Sequence, residues 1–192
     1  KEFEKRTEWF AEDTKPSAVS DWYERIRVCK IDGRIANKEC IDADESEEKD
    51  FIKIKAEFPE WQTSIDNWIK DAYKDDERYF PPQMVSKLEF DGDEVSNKND
   101  VYTEVVGLED GDSVFLNFRL NVEISCYEDI EKVTFYMDDE KVAEDKNSPY
   151  GYTFNLSSGQ IGKHEFKVTA TDEDDNKGST EITLDVKGYA ID

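Results

Sequence analysis

Apolar and polar residues alternate through most of the second half of this chain. Val114, Leu116, Phe118, Leu120, Val122, Ile124 and Cys126 occupy every second position, which places them on one face of a long extended segment. Val133, Phe135 and Met137 come next, followed by the Asp138-Asp139 turn and Val142. Three further sets share the period: Tyr150, Tyr152 and Phe154; Phe166, Val168 and Ala170; Ile182, Leu184 and Val186. Ahead of them, Val85, Leu88 and Phe90 start a strand, and Val101 to Val106 form another. Short strands separated by polar turns, with no helical pattern among them, predict an antiparallel β-sandwich over 83–192.

The first eighty residues are patterned differently. Trp9, Phe10, Trp22 and Tyr23 flank a loop-like DTKPSAVSD segment. Asp32-Gly33 lies between two short apolar runs, which predicts a hairpin over 26–40. The acidic run from Glu39 to Asp50 reads as a solvated loop, and Phe51, Ile52 and Ile54 as a short strand. Trp61, Ile65, Trp68, Ile69 and Ala72 fall on one face of a helix over about 60–77. Pro59 and Glu60 suit its N-terminus, and Tyr79-Phe80-Pro81-Pro82 ends it. The expected fold is therefore mostly β, with a small α+β segment over 1–82 ahead of the sandwich.

Charge narrows the partners. Charged residues make up 38% of the 192 positions and the net charge is −23, a field that repels nucleic acid and anionic lipid. No apolar run is long enough to span a bilayer, so membrane attachment would come only through an anchor upstream of Lys1. A hairpin would bring Cys29 and Cys40 together. A disulfide, in an oxidising compartment, is favoured over zinc because only one histidine exists, His164; two free thiols are the other option. Cys126 lies in an alternating run and reads as a core residue.

Several motifs carry a resemblance. Val133-Thr134-Phe135-Tyr136-Met137-Asp138-Asp139, Ser148-Pro149-Tyr150, Gly162-Lys163-His164 and Ala170-Thr171-Asp172 resemble the bacterial immunoglobulin-like modules of surface and cell-wall proteins. That family usually has glycine where this chain has Asp139. In the first half, Glu8-Trp9-Phe10, Asp13-Thr14-Lys15-Pro16, and Val28-Cys29-Lys30-Ile31-Asp32-Gly33-Arg34-Ile35-Ala36-Asn37 with Cys40 resemble the tail that follows the transpeptidase of class A penicillin-binding proteins. Pro59-Glu60-Trp61-Gln62 with Trp68 is similar to a helix of such tails. The resemblance implies an extracytoplasmic, non-catalytic region of a peptidoglycan synthase. Its implied partners are the transpeptidase domain of the same parent chain and peptidoglycan or cell-envelope proteins. The alternative is a cell-surface adhesion or carbohydrate-binding module, calcium-dependent in one version.

The chain itself shows no catalytic set. Ser46-Glu47-Glu48-Lys49 matches the serine–lysine pattern of penicillin-type enzymes by letters only, and no Ser-x-Asn or Lys-Thr-Gly accompanies it. His164 has no nucleophile near it in sequence. Asp172, Asp174 and Asn176 echo a calcium loop, but Gly178 comes one residue late, and a turn explains them better. Trp61 and Trp68 read first as packing residues, with glycan stacking or docking as the sharper option. No cofactor is implied.

Overall fold

The computed structural model describes residues 23–54 and 61–188, apart from the side chain of Thr63. Trp9, Phe10, Trp22, Pro59 and Glu60, with the motifs built on them, lie outside the described residues.

The chain begins with strand β1 (Tyr23–Cys29), helix α1 (Lys38–Asp42), strand β2 (Ser46–Ile52) and helix α2 (Gln62–Tyr73). A single 3-10 turn at Glu77–Tyr79 follows, then the two-residue strands β3 (Phe90–Asp91) and β4 (Glu94–Val95). β1 pairs antiparallel with β2 along its full length, from Tyr23 opposite Ile52 to Cys29 opposite Ser46. The acidic run is thus not a loop. Its charges have partners across the ladder: Arg25 donates to both carboxylate oxygens of Asp50 at 2.7 and 2.9 Å, and Arg27 donates to Glu48 at 3.1 Å. The hairpin expected over 26–40 is reduced to a tight turn. Gly33, at φ +70°, donates to Cys29 O, and a single bridge joins Val28 to Ile35. Cys40 sits on α1 instead of a return strand, its amide capped by the Asn37 side chain at 2.7 Å. Cys29 and Cys40 form a disulfide with Cα atoms 5.7 Å apart.

The sandwich is built from β5 (Tyr102–Val106), β6 (Ser113–Phe115), β7 (Asn117–Ser125), β8 (Ile130–Met137), β9 (Glu140–Asp145), β10 (Gly151–Asn155), β11 (Gly162–Asp172) and β12 (Lys177–Lys187). One sheet runs β10-β7-β5 and the other β6-β12-β11-β8-β9. The alternation from Val114 to Cys126, read as one strand, is two. β6 pairs parallel with β12, and β7 lies between β5 and β10 in the opposite sheet. Both sheets face one core, so the side-chain period continues through the crossing at Leu116 and does not mark it.

Two cores are distinct. The large one joins the inner faces of both sheets, with Phe118, Leu120, Phe135, Phe154, Phe166, Val168 and Leu184 nearly or fully buried. Phe118 stacks on Phe154 at 5.1 Å, and Phe166 meets both edge-on. Such ring pairs each add about 0.5–1.5 kcal/mol beyond the area they bury. The small core consists of Cys29, Cys40, Leu88 and Val95, lined by Ile31, Ala36 and Phe90. Residues 84–95 therefore pack with the cysteine unit, although the sequence period changes at Pro82. The sandwich core begins at Val101.

Aspartate takes the left-handed conformation at several turns. At the β8–β9 turn Asp138 and Asp139 adopt φ +49° and +66°, so the left-handed conformation is kept without the family's glycine. Asp138 is anchored there. Its Oδ2 lies 2.6 Å from His164 Nδ1, and its Oδ1 accepts from Glu165 N at 3.1 Å. The second His164 nitrogen faces Gln160 O at 3.1 Å. Gly178, by contrast, cannot be replaced in place: a Cβ there would lie 1.8 Å from Val101 O, just ahead of β5.

Two tests follow. Gly178→Ala pushes a methyl into backbone, so it should lower stability by about 2–3 kcal/mol, read as a fall in the urea midpoint at unchanged slope; an unchanged midpoint contradicts the close approach. The His164 contact holds the Asp138 carboxyl below its ordinary range. A depressed acid contributes stability above its unfolded pKa, about 3.9, and loses it as pH falls through the folded value. The melting-temperature difference between the wild type and His164→Phe should therefore shrink as pH drops from about 5 to about 2. A constant difference would remove the link.

Candidate functional site

The outer face of the three-stranded sheet carries a dense set of hydrogen bonds and ion pairs. Along β7, Phe118, Leu120, Val122 and Ile124 point into the core, which turns Arg119, Asn121, Glu123 and Ser125 outward. In a lone sandwich that face meets water. Here it is covered, and Glu123 and Ser125 are buried.

At one end the cover comes from the disulfide unit. Glu123 accepts from Gln83 N at 2.9 and 3.0 Å and from Met84 N at 2.8 Å, and it pairs with Arg34 at 3.1 Å. Ser125 Oγ donates to Asp32 Oδ2 at 2.6 Å and accepts from Lys87 N at 2.7 Å. The same Asp32 oxygen accepts from Ser86 Oγ at 2.8 Å. Backbone bonds tie the segment to the loop: Ile35 N donates to Met84 O, and Ser86 N to Ile35 O. Asn37 donates to Ser86 O and Leu88 O.

At the other end α2 lies against the sheet through polar groups. Lys70 Nζ meets Asp145 Oδ2 at 2.6 Å, and Asn67 Oδ1 accepts from Thr153 Oγ1 at 2.8 Å. Burial pushes Asp66 up and lowers Lys70 and Arg119; the Asp145 bond opposes the shift of Lys70. Gly151 lets the strand pass close by, since a Cβ would fall 2.7 Å from the Arg119 guanidinium.

Docking on this flank leaves the tryptophans at the surface. Trp61 and Trp68 are 54% and 50% exposed, and of the predicted apolar stripe only Ile69 is buried. Trp68 meets Tyr73 edge-on at 5.3 Å, and Tyr73 stacks on Tyr79 at 4.0 Å. Trp68 thus packs on Tyr73 with half of its surface open, while Asn67 and Lys70 on the opposite flank make polar contacts to the strands.

The remaining candidates fall into ordinary structural places. Ser46 and Lys49 lie on β2, where residues three apart point to opposite faces. Asp172 is buried, and its carboxylate accepts from Asp174 N, Asn176 N and Asn176 Nδ2 at 2.8–3.0 Å, which closes the β11–β12 turn. Among the described residues no three His, Cys, Asp or Glu side chains stand together as a metal site. Cys126 is buried, and burial, then the charges of Asp32 and Asp172, push its thiol up to about 12. It stays protonated at neutral pH.

Sequence reasoning picked Asp32 only as a turn residue and did not single out Arg34, Ser86, Glu123 or Ser125. Glu123 and Ser125 look like the polar half of an alternating strand, and Asp32 like a turn residue. Only the pairing of distant segments gives them a role. Removing one partner of a buried charge pair costs about 3–5 kcal/mol. Glu123→Ala should therefore destabilise the chain by about 3 kcal/mol, and a double-mutant cycle with Arg34→Met should show more than about 1 kcal/mol of coupling. Additive losses would contradict the joint.

The model of the bacterial Ig domain family matches residues 104–168, from β5 into β11. No curated protein matches the chain. Among solved structures, the fibronectin(III)-like modules of Clostridium thermocellum CbhA are 21% identical with a TM-score of 0.42, over 48% of this chain and 50% of theirs. A Bacteroides ovatus glucan-utilisation protein, SGBP-B, in complex with a mixed-linkage heptasaccharide, is 16% identical with a TM-score of 0.37, over 48% of this chain and 25% of that one. A Cellulomonas fimi endo-beta-1,4-mannanase is 15% identical with a TM-score of 0.32, over 44% and 18%. This chain spans half or less of each, and none of them bears on its ligand. The C-terminal half is an immunoglobulin-like β-sandwich.

Proposed function

We propose that this chain is a non-catalytic, extracytoplasmic accessory region of a peptidoglycan synthase, and that it works as a stiff spacer and docking arm. The observation that supports this best is the buried joint on β7. Glu123 and Ser125 bond to the 32–34 turn and to the 83–87 segment of the preceding unit, so the two parts move as one body. A flexible tether would carry no such network. The parentage rests on the cysteine-turn and tryptophan motifs, placed directly ahead of the immunoglobulin-like module. In this reading the transpeptidase of the same parent chain is the first docking partner.

A wall-binding version draws support from one feature, the half-exposed Trp68 beside Tyr73 and Tyr79. Rings at a surface can stack on sugars, and the acidic field leaves neutral glycan a better partner than anionic polymer. Cosedimentation with purified peptidoglycan separates the roles. The spacer reading expects the chain to stay in the supernatant, with and without millimolar calcium. Retention that Trp68→Ala abolishes would replace it with the wall-binding module, and retention only with calcium would favour the adhesion reading. A reading frame upstream of Lys1 without a serine–lysine transpeptidase would sink the synthase assignment.

A further inference from the structure

We propose that the Cys29–Cys40 disulfide is a redox-controlled lock on the joint: oxidised, it holds the loop that grips β7; reduced, it frees that loop while the sandwich stays folded. The proposal rests on the stiff-arm reading for its use, and on the placement of the disulfide for its mechanism.

The grip comes from inside the disulfide loop. Asp32 and Arg34 lie between the two cysteines, and they reach Ser125 and Glu123. The other donors to Glu123, Gln83 N and Met84 N, belong to a segment that Ile35 and Asn37 of the same loop hold in place. The bond itself touches this network. Cys40 Sγ lies 3.6 Å from Ser86 Oγ, and that hydroxyl donates to the Asp32 oxygen shared with Ser125. Reduction would replace one covalent contact with two thiols at van der Waals separation, beside a hydroxyl already bonded to Asp32.

The energetics confine the effect. Cys29 and Cys40 are two of the four buried residues of the small core, so that unit depends on their bond. No cysteine of the bond belongs to the large core, which spans both sheets. A loosened Arg34 would leave Glu123 buried with less compensation, and that favours opening of the joint. Both cysteines are fully buried, so a reductant reaches the sulfurs only through local opening. The reaction is ordinary exchange: a small dithiol gives up two electrons and two protons, leaves as its cyclic disulfide, and Cys29 and Cys40 become thiols.

Hydrogen exchange on the full chain, with and without dithiothreitol, tests this, with mass spectrometry scoring the bond. On reduction, amides of β1, β2 and residues 83–88 should exchange at least tenfold faster. Those of β7, β8, β11 and β12 should change less than twofold. Cys29→Ala/Cys40→Ala should match the reduced chain without any reductant. Unchanged protection at 83–88 in the reduced chain would overturn the lock and leave the stiff arm standing. Equal loss across both cores would overturn it as well, because the bond would then hold the whole fold. Weak protection at 83–88 in the oxidised chain would overturn both readings.

Discussion

A carboxylate taken out of water must be met by donors, and Glu123 is such a carboxylate. It sits on the middle strand of a three-stranded sheet and is nearly closed off from solvent. The donors that meet it are Gln83 N, Met84 N and the Arg34 guanidinium, all from the unit that precedes the sandwich. Satisfying one buried charge thus fixes where that unit lies. Ser125 and Asp32 repeat the logic two residues along the strand. At the far end of the same face Thr153 bonds Asn67 of α2, and Asp145, at the end of β9 in the other sheet, pairs with Lys70. Polar bonds of this kind add modest net stability, but their geometry admits one arrangement, whereas an apolar contact tolerates sliding.

That constraint explains the division of labour between the cores. The sandwich has its own interlocked phenylalanines, and no residue of the first unit belongs to its core. The small unit has too few buried residues to stand on packing alone, and it relies on a disulfide and on the sheet beneath it. Its surface charges follow the same economy. The acids of β2 lie opposite Arg25 and Arg27, so part of the large negative charge is matched locally.

The sequence made the sandwich legible because its strands alternate cleanly: Phe118 to Ile124, Val133 to Met137 and Phe166 to Ala170 all point as their period says. It hid the crossing at Leu116, since a chain that changes sheets across one core keeps its period. It showed only the Phe51–Ile52 end of β2 and hid the rest, because acidic residues in a strand look like a loop until the arginines opposite them are known. The cysteines were readable as a pair, but not the helix that carries Cys40. For α2 the apolar stripe was real but only Ile69 of it is buried, because Asn67 and Lys70 make their contacts on another flank. The joint itself was illegible. Asp32, Ser86 and Glu123 are ordinary residues whose meaning comes only from contacts between distant segments.

The central claim is that the two parts form one stiff body. Residual dipolar couplings in a weakly aligned sample measure this directly. Amides of β1 and β2 and amides of the sandwich should fit a single alignment tensor of one magnitude. Two tensors of different magnitude, each fitting its own part, would contradict the account.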